Sequence, residues 1–115
     1  QYLKAAGCLT DGSVRDVKRI RQMNFPVFAG NIGPLDSKHR GKLMWYDVPG
    51  KIHGVNVNSG DFIFGDVDGV VIVPQQITSE VVEKALQKVR EENQVRGMLE
   101  NGVSLAKAFE EHGIL

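Results

Sequence analysis

Apolar residues recur along this chain at spacings that change from block to block, and each spacing predicts a different element. The small and apolar stretch AAGCLTDG predicts a buried strand that ends in a turn at Asp11-Gly12, since both residues tolerate positive φ. Val17 and Ile20 then follow at helical spacing, with charged residues between them. The chain therefore opens with a strand, a turn and a short amphipathic helix.

The middle of the chain predicts further strands and turns. Pro26 lies within FPVFAG, where a strand start or edge accepts its missing N–H, and Gly30 and Gly33 open a polar loop that runs through DSKHRGK. The stretch KIHGVNV alternates apolar and polar residues, DFIFGDV follows the turn NSGD, and Asp68-Gly69 turns the chain into the apolar run VVIVP. We expect antiparallel hairpins here, including one fully buried strand.

Two helices are predicted at the end of the chain. Thr78 or Ser79 caps the first helix, which runs to about Leu99 before Asn101-Gly102 ends it. Ser104 caps a second, shorter helix. The apolar faces consist of Val82, Ala85, Leu86 and Val89 in the first helix and of Leu105, Ala108 and Phe109 in the second.

Strands that alternate with helices over 115 residues predict a single α/β domain, residues 1–115. The proportions of 42% hydrophobic and 24% charged residues are typical of a globular chain. The 14 basic and 14 acidic residues cancel, and no stretch forms a basic patch interleaved with aromatic residues. We therefore expect no direct nucleic-acid ligand.

Cysteine usage and hydropathy suggest a cellular location. Cys8 is the only cysteine, which excludes an intrachain disulfide and a multi-cysteine zinc site and fits a reducing compartment. No apolar run is long enough to span a bilayer and no signal peptide is recognisable, so we expect a cytoplasmic protein without membrane contact. The chain begins at Gln1 and not at Met, which leaves a targeting segment upstream open.

The sequence lacks several common catalytic and nucleotide-binding motifs, which reduces the number of enzyme classes to consider. The chain has no Walker phosphate loop and no GxGxxG, HExxH or GxSxG motif. His39, His53 and His112 are scattered, and a lone histidine is more often a surface or turn residue than a metal ligand. The stretch GDVDG at 65–69 lacks the later oxygen ligands and the terminal Glu of an EF-hand loop, so it predicts a hairpin turn and not a calcium site.

The stretch TDGSVRD places Arg15 and Asp16 side by side before the first predicted helix, and two interpretations are open. A carboxylate at position 16 can simply stabilise the N-terminus of that helix. Alternatively, Asp16 holds a hard divalent cation through oxygen while Arg15 reaches an anionic substrate by a two-point contact. A metal and an arginine together make an anion-binding, Lewis-acid site.

Five stretches occur in order across nearly the whole chain: GCLTDGSVRD, FPVFAG, GVNVNSGDFIFGDVDGVVIVP, REENQVR and NGVSLAKAFEEHG. Together they resemble the class II pyruvate aldolase family, which contains the 4-hydroxy-4-methyl-2-oxoglutarate aldolases and is grouped with the regulator of ribonuclease E activity A. The resemblance implies a three-layer β/β/α sandwich related to swivelling phosphohistidine domains. It also implies a homotrimer or hexamer with active sites between subunits.

The resemblance assigns roles to the adjacent charges. Asp16 would be the direct protein ligand of Mg²⁺ or Mn²⁺, and Arg15 would contact the pyruvyl unit of a 2-oxo acid substrate. The metal would chelate the keto and carboxylate oxygens, so that cleavage of the C3–C4 bond leaves an enolate beside the positive charge of Arg15. Loss of carbon dioxide gives the same enolate, so oxaloacetate decarboxylation would accompany aldol cleavage of 4-hydroxy-2-oxo acids to pyruvate.

Other parts of the family's site fall outside the chain or are ambiguous. An acidic residue about twenty positions before the Arg-Asp pair and a glycine-rich loop would both lie upstream of Gln1, and family members are roughly twice this length. We therefore expect the carboxy-terminal part of the domain, with an incomplete sandwich whose activity alone is open. A glutamate from a neighbouring subunit's late helix would be Glu92, but Glu91 is adjacent, and a solvated helix face explains either.

The main alternative is a non-catalytic protein that inhibits ribonuclease E by protein contact. Members assigned that role can also carry the Arg-Asp pair, so the sequence leaves both functions open. It also leaves the preferred 2-oxo acid open, because pocket shape beyond the pyruvyl end sets that preference.

Overall fold

The strand-forming blocks precede the two longer helical blocks, and the structure divides at the same point. A computed structural model describes residues 4–113 and separates a unit that ends at Pro74 from one that begins at Gln75. Within the described residues, the elements of the first unit are β1 (Cys8–Val14), α1 (Val17–Gln22), β2 (Val27–Ile32), β3 (Gly50–Ile52), β4 (Val55–Val57), β5 (Phe62–Gly65) and β6 (Val70–Val73). Those of the second are a 3₁₀ turn (Gln75–Ile77), α2 (Thr78–Glu100) and α3 (Leu105–His112). The α/β class is therefore as predicted, and the single domain 1–115 stays a prediction.

β1 and β2 pair in parallel, and α1 forms part of the crossover that parallel strands require. Pairing is regular up to Thr10 and resumes at Ser13, which leaves Asp11 and Gly12 together opposite Gly30. This is a β-bulge inside β1, so the predicted strand-ending turn at Asp11-Gly12 is wrong. β1 is also largely exposed within the described chain, not buried as the sequence predicts.

β2 begins directly after Pro26, as predicted for a proline at a strand start. The carbonyl of Pro26 accepts the N–H of Cys8 at 2.9 Å and so begins the pairing with β1. β2 continues to Ile32, so Gly30 lies inside the strand and the following loop begins at Gly33.

β3 and β4 form an antiparallel hairpin inside KIHGVNV, which the sequence predicts as a single alternating strand. Its turn residues are His53 and Gly54, with φ angles of 47° and 82°. Positive φ at both central positions is the type I′ geometry, which matches the twist of the flanking strands. Ile52 and Val55 are three positions apart, so the alternation breaks at this turn, but His-Gly is not one of the dipeptides that typically mark it.

β5 and β6 form a second hairpin, and its turn at Asp68-Gly69 is confirmed. The carbonyl of Gly69 accepts the N–H of Asp66 at 2.9 Å, and the Asp66 carboxylate accepts the N–H of Asp68 at 2.8 Å. Both faces of this hairpin are apolar. Within the described chain Val73 is buried, but the other strand positions are not fully covered, so the prediction of a fully buried strand is wrong; the exposed side chains are Phe62, Ile63, Phe64 and Val71.

α2 begins without the predicted side-chain cap. Its N-cap residue is Ile77, whose side chain forms no capping hydrogen bond, so the expectation of an N-cap at Thr78 or Ser79 is wrong. The helix ends as predicted at Asn101-Gly102, where Gly102 takes a φ of 83°. None of the helices in the described part of the chain is long and apolar enough to cross a membrane.

α3 begins at the predicted cap, where Ser104 accepts the N–H of Lys107 at 3.4 Å. α3 packs against α2, and among the described residues of this unit the buried apolar ones are Val95 of α2 and Ala108 of α3. The apolar faces predicted for the two helices are largely exposed within the described chain, at Val82, Ala85, Leu86, Val89, Leu105 and Phe109.

Candidate functional site

Arg15 and Asp16 form the connection between the end of β1 and the start of α1. Asp16 is the N-cap residue of α1 and has a left-handed backbone, with φ 59° and ψ 31°. Its carbonyl accepts the N–H groups of Arg19 and Ile20 at 2.9 and 3.1 Å and so begins the helix. Left-handed backbone is rare outside glycine, and Asp and Asn tolerate it best.

The carboxylate of Asp16 forms no capping hydrogen bond, although Asp16 stands at the cap position. The interpretation of Asp16 as a simple capping carboxylate therefore lacks its characteristic contact. The side chain is 70% exposed, and its described partner is the Arg15 guanidinium, with 3.7 Å between Nε and Oδ2. At that distance the two groups form an ion pair without a hydrogen bond, which leaves the carboxylate oxygens accessible.

Arg15 has a closer partner that the sequence analysis missed. Its Nη1 lies 3.2 Å from Oδ2 of Asp36. Asp36 belongs to the loop after β2, and its other carboxylate oxygen accepts the N–H of Lys38 at 3.0 Å. The only local signal was an Asp at the start of DSK, which is typical of an Asx turn, and nothing in it identified Arg15 as the partner.

A hydrogen bond ties this loop to the strand that carries Arg15. Gly33 donates its N–H to the carbonyl of Val14 at 3.0 Å, directly before the Arg-Asp pair. The start of the loop and the pair consequently line one open groove of about 450 Å³, formed by Arg15, Asp16, Val17, Ile32, Gly33 and Pro34. Its lining combines the two charges with apolar side chains, and its volume falls within the range of small-molecule sites.

Glu92 lies in α2, and its described side-chain contact is with another residue of the same helix. Lys88 Nζ lies 3.9 Å from Oε1 of Glu92, an i,i+4 pair. The neighbouring Glu91 accepts a hydrogen bond from Nε2 of Gln87 at 2.8 Å. These contacts are those of an ordinary helix surface, so the choice between Glu91 and Glu92 stays open, as does the catalytic role predicted for Glu92.

The three histidines lie in a turn, in a loop and at a helix end. His53 is a turn residue whose backbone N–H lies 3.4 Å from Oδ2 of Asp11. His39 lies in the loop after β2, and His112 is the last residue of α3. Across residues 4–113, no three His, Cys, Asp or Glu side chains form a group able to hold a metal ion. The described part of this chain therefore supplies fewer than three such ligands to a cation at Asp16.

Comparisons with known proteins agree on one family. The model of the RraA-like family, described as Aldolase/RraA, matches residues 1–72. A protein of Halalkalibacterium halodurans named putative 4-hydroxy-4-methyl-2-oxoglutarate aldolase is 31% identical over 93% of this chain and 50% of its own length. Other relatives carry the same enzyme name. Protein DlpA of Legionella pneumophila is 35% identical over 92% of this chain but only 17% of its own length.

A solved structure shares the fold of this chain. The crystal structure of an uncharacterized protein from Pseudomonas syringae superposes with a TM-score of 0.80 at 31% identity. The match covers 84% of this chain and 48% of that protein. This chain therefore spans about half the length, or less, of the relatives described here.

Proposed function

The chain belongs to the RraA-like family of aldolases and RraA proteins, and on that premise we propose that the complete protein is a class II pyruvate aldolase. Its substrates would be 4-hydroxy-2-oxo acids of the 4-hydroxy-4-methyl-2-oxoglutarate type, cleaved to pyruvate. The observation that carries the proposal is the exposed Arg15-Asp16 pair at the groove beside α1, with a carboxylate that forms no capping bond.

Asp16 would hold a divalent cation, Mg²⁺ or Mn²⁺. Its accessible carboxylate is the hard oxygen ligand that these ions prefer, and Mg²⁺ commonly keeps several waters and takes only one or two protein carboxylates. A site with fewer than three such protein ligands in the described residues fits that pattern. When bound, the cation supplies Lewis-acid polarisation of the substrate's keto group.

Arg15 would bind the pyruvyl end of the substrate. The guanidinium has five N–H donors, and Asp36 approaches it at Nη1, so donors remain for an anionic ligand. As the C3–C4 bond breaks, its electron pair moves toward the keto oxygen, and a fixed cation beside that oxygen stabilises the developing charge. Departure of carbon dioxide places charge on the same oxygen, so we include oxaloacetate decarboxylation as a side activity.

The complete site would require more than this chain. We propose the three-layer β/β/α sandwich for the complete domain and a homotrimer or hexamer that brings Glu92 of one subunit to the Arg15-Asp16 pair of another. The exposed apolar side chains of the β5–β6 hairpin support further packing against protein. The lone cysteine supports a cytoplasmic location.

Pyruvate release by the complete protein tests the proposal. Oxaloacetate and a 4-hydroxy-2-oxo acid are each supplied with and without Mg²⁺, and pyruvate is measured by a coupled assay. Asp16→Asn should raise the Mg²⁺ requirement, with excess Mg²⁺ restoring part of the rate, because a neutral amide replaces an anionic ligand. Arg15→Lys should lower turnover by about 10²-fold at an unchanged Mg²⁺ requirement, because lysine lacks the two-point contact.

Matched variants control for general charge effects. Arg19→Lys changes an exposed arginine of α1, and Asp68→Asn changes an exposed hairpin aspartate. Both should retain wild-type turnover. Equal shifts in Mg²⁺ requirement for Arg15→Lys and Asp16→Asn would refute the division of roles.

The alternative function is inhibition of ribonuclease E by protein contact, since the family's description joins aldolases with RraA proteins. A complete wild-type protein that releases no pyruvate at any Mg²⁺ concentration would refute the aldolase proposal and favour this alternative.

A further inference from the structure

The ion pair between Arg15 and Asp36 contributes little to the folding stability of the chain. Both side chains are about half exposed, at 48% and 49%. Ion pairs at that exposure are screened by solvent and contribute little to folding. The contact is nevertheless specific, because Nη1 of Arg15 approaches Oδ2 of Asp36 at 3.2 Å, closer than the adjacent Asp16.

Backbone hydrogen bonds fix the carboxylate of Asp36. Its Oδ1 accepts the N–H of Lys38 at 3.0 Å, so the second oxygen is left to face Arg15. The carbonyl of Ser37 accepts the N–H groups of Arg40 and Gly41, each at 2.9 Å, which closes the loop into a local turn. An acceptor held in this way can orient a long, otherwise flexible arginine side chain.

The carboxylates of Asp36 and Asp16 differ in how many of their oxygens already have partners. Asp36 already uses one oxygen for a backbone N–H and the other for Arg15. Asp16 has no capping bond and lies beyond hydrogen-bond distance of Arg15. The geometry therefore separates an aspartate that orients the arginine from one that stays accessible.

We infer that Asp36 is a positioning residue: it holds the Arg15 guanidinium at the groove so that the remaining N–H donors meet the carboxylate or keto oxygen of a 2-oxo acid. This inference rests on the proposed function. Asp36 acts only through Arg15 and does not contact the reacting atoms. Its loss should therefore misplace the Arg15 guanidinium without changing the Mg²⁺ requirement.

The test measures pyruvate release from oxaloacetate by the complete protein. Asp36→Ala should lower kcat/KM about tenfold, because misplacement of a catalytic group slows the reaction even when the group is present. Asp36→Asn should recover only part of that loss, because its single amide oxygen can accept from Nη1 of Arg15 or from the N–H of Lys38 but not from both. Neither variant should change the Mg²⁺ concentration that gives half-maximal rate.

Asp66→Ala is the matched control. Asp66 also accepts the N–H of the residue two positions later, here Asp68 at 2.8 Å, and it forms no ion pair in the described part of the chain. Both alanine variants thus lose an Asx turn, but only Asp36→Ala loses the arginine contact. Asp66→Ala should keep wild-type kcat/KM.

A double-mutant cycle decides whether Asp36 acts through Arg15. In the Arg15→Lys background, Asp36→Ala should change kcat/KM by less than about twofold, because contacting residues are not additive. Additive losses, equal kcat/KM in the two alanine variants, or a higher kcat/KM in Asp36→Ala would each overturn the inference while the wild type stays active. An inactive wild type would instead overturn the proposed function, and this inference with it.

Discussion

Gly30 should be the least replaceable glycine of the first unit, because the bulge of β1 lies directly against it. An ideal Cβ at this position would stand 2.3 Å from the carbonyl oxygen of Asp11 and 2.9 Å from its carbonyl carbon. The shorter distance is about 1 Å below an ordinary van der Waals contact. The neighbour is backbone, so relief requires movement of the bulge itself.

The expected cost of Gly30→Ala follows from that geometry. Overpacking typically costs about 1–3 kcal/mol, and a backbone clash belongs at the upper end, so we expect a loss of about 3 kcal/mol in the free energy of unfolding. Pyruvate release should fall as well, because the bulge leads directly into Arg15. Gly50→Ala is the control: Gly50 also lies in a strand, and an added Cβ there meets nothing within 4 Å.

Urea unfolding of the complete protein, followed by circular dichroism, measures both variants. Gly30→Ala should shift the midpoint clearly below that of Gly50→Ala. A difference between the two variants of less than about 0.5 kcal/mol, within the ordinary range for surface substitutions, would refute the predicted bulge contact.

Two further predictions concern the second unit. Gly97→Ala should raise the free energy of unfolding by about 0.5–1 kcal/mol, because Gly97 lies within α2 and an added Cβ meets nothing within 4 Å. A urea midpoint below that of the wild type would instead mean that the helix face at Gly97 is covered in the complete protein. Ser104→Ala should lower the free energy of unfolding by about 0.5 kcal/mol. This is the small end of the range for a cap, because the hydrogen bond from the N–H of Lys107 to the Ser104 hydroxyl is long. Ser104→Asp should preserve stability, and a loss equal to that of alanine would argue against the cap.

The sequence predicted the elements that local chemistry determines. The amphipathic helix at Val17, the strand after Pro26 and the capped helix after Ser104 were all expected and are present. Each depends on residues a few positions apart, so spacing and capping signals were sufficient. The Arg15-Asp16 pair could be selected for the same reason, since it is contiguous.

Features that depend on distant partners could not be predicted. Asp11-Gly12 suits a turn and a bulge equally, and only the resumed pairing with β2 distinguishes them. Asp36 lies 21 positions after Arg15, and a polar loop offers no pattern that connects the two. The His53-Gly54 turn was missed because His-Gly is not among the Asn-Gly, Asp-Gly and Gly-Gly pairs that typically mark a type I′ hairpin turn.

The left-handed backbone of Asp16 restricts which residues evolution or design can place there. A glutamate would keep the negative charge, but a left-handed backbone costs a residue with a side chain roughly 1–2 kcal/mol, and Asp and Asn adopt it more readily than Glu. Asn and Gly suit the backbone, yet neither carries a charge. Any chain with this turn that keeps an anionic ligand is thus held to aspartate, and one that abandons the chemistry can drift to Asn or Gly without disturbing α1. On the proposed function, the residue at this position would therefore report whether a descendant keeps the anionic metal ligand.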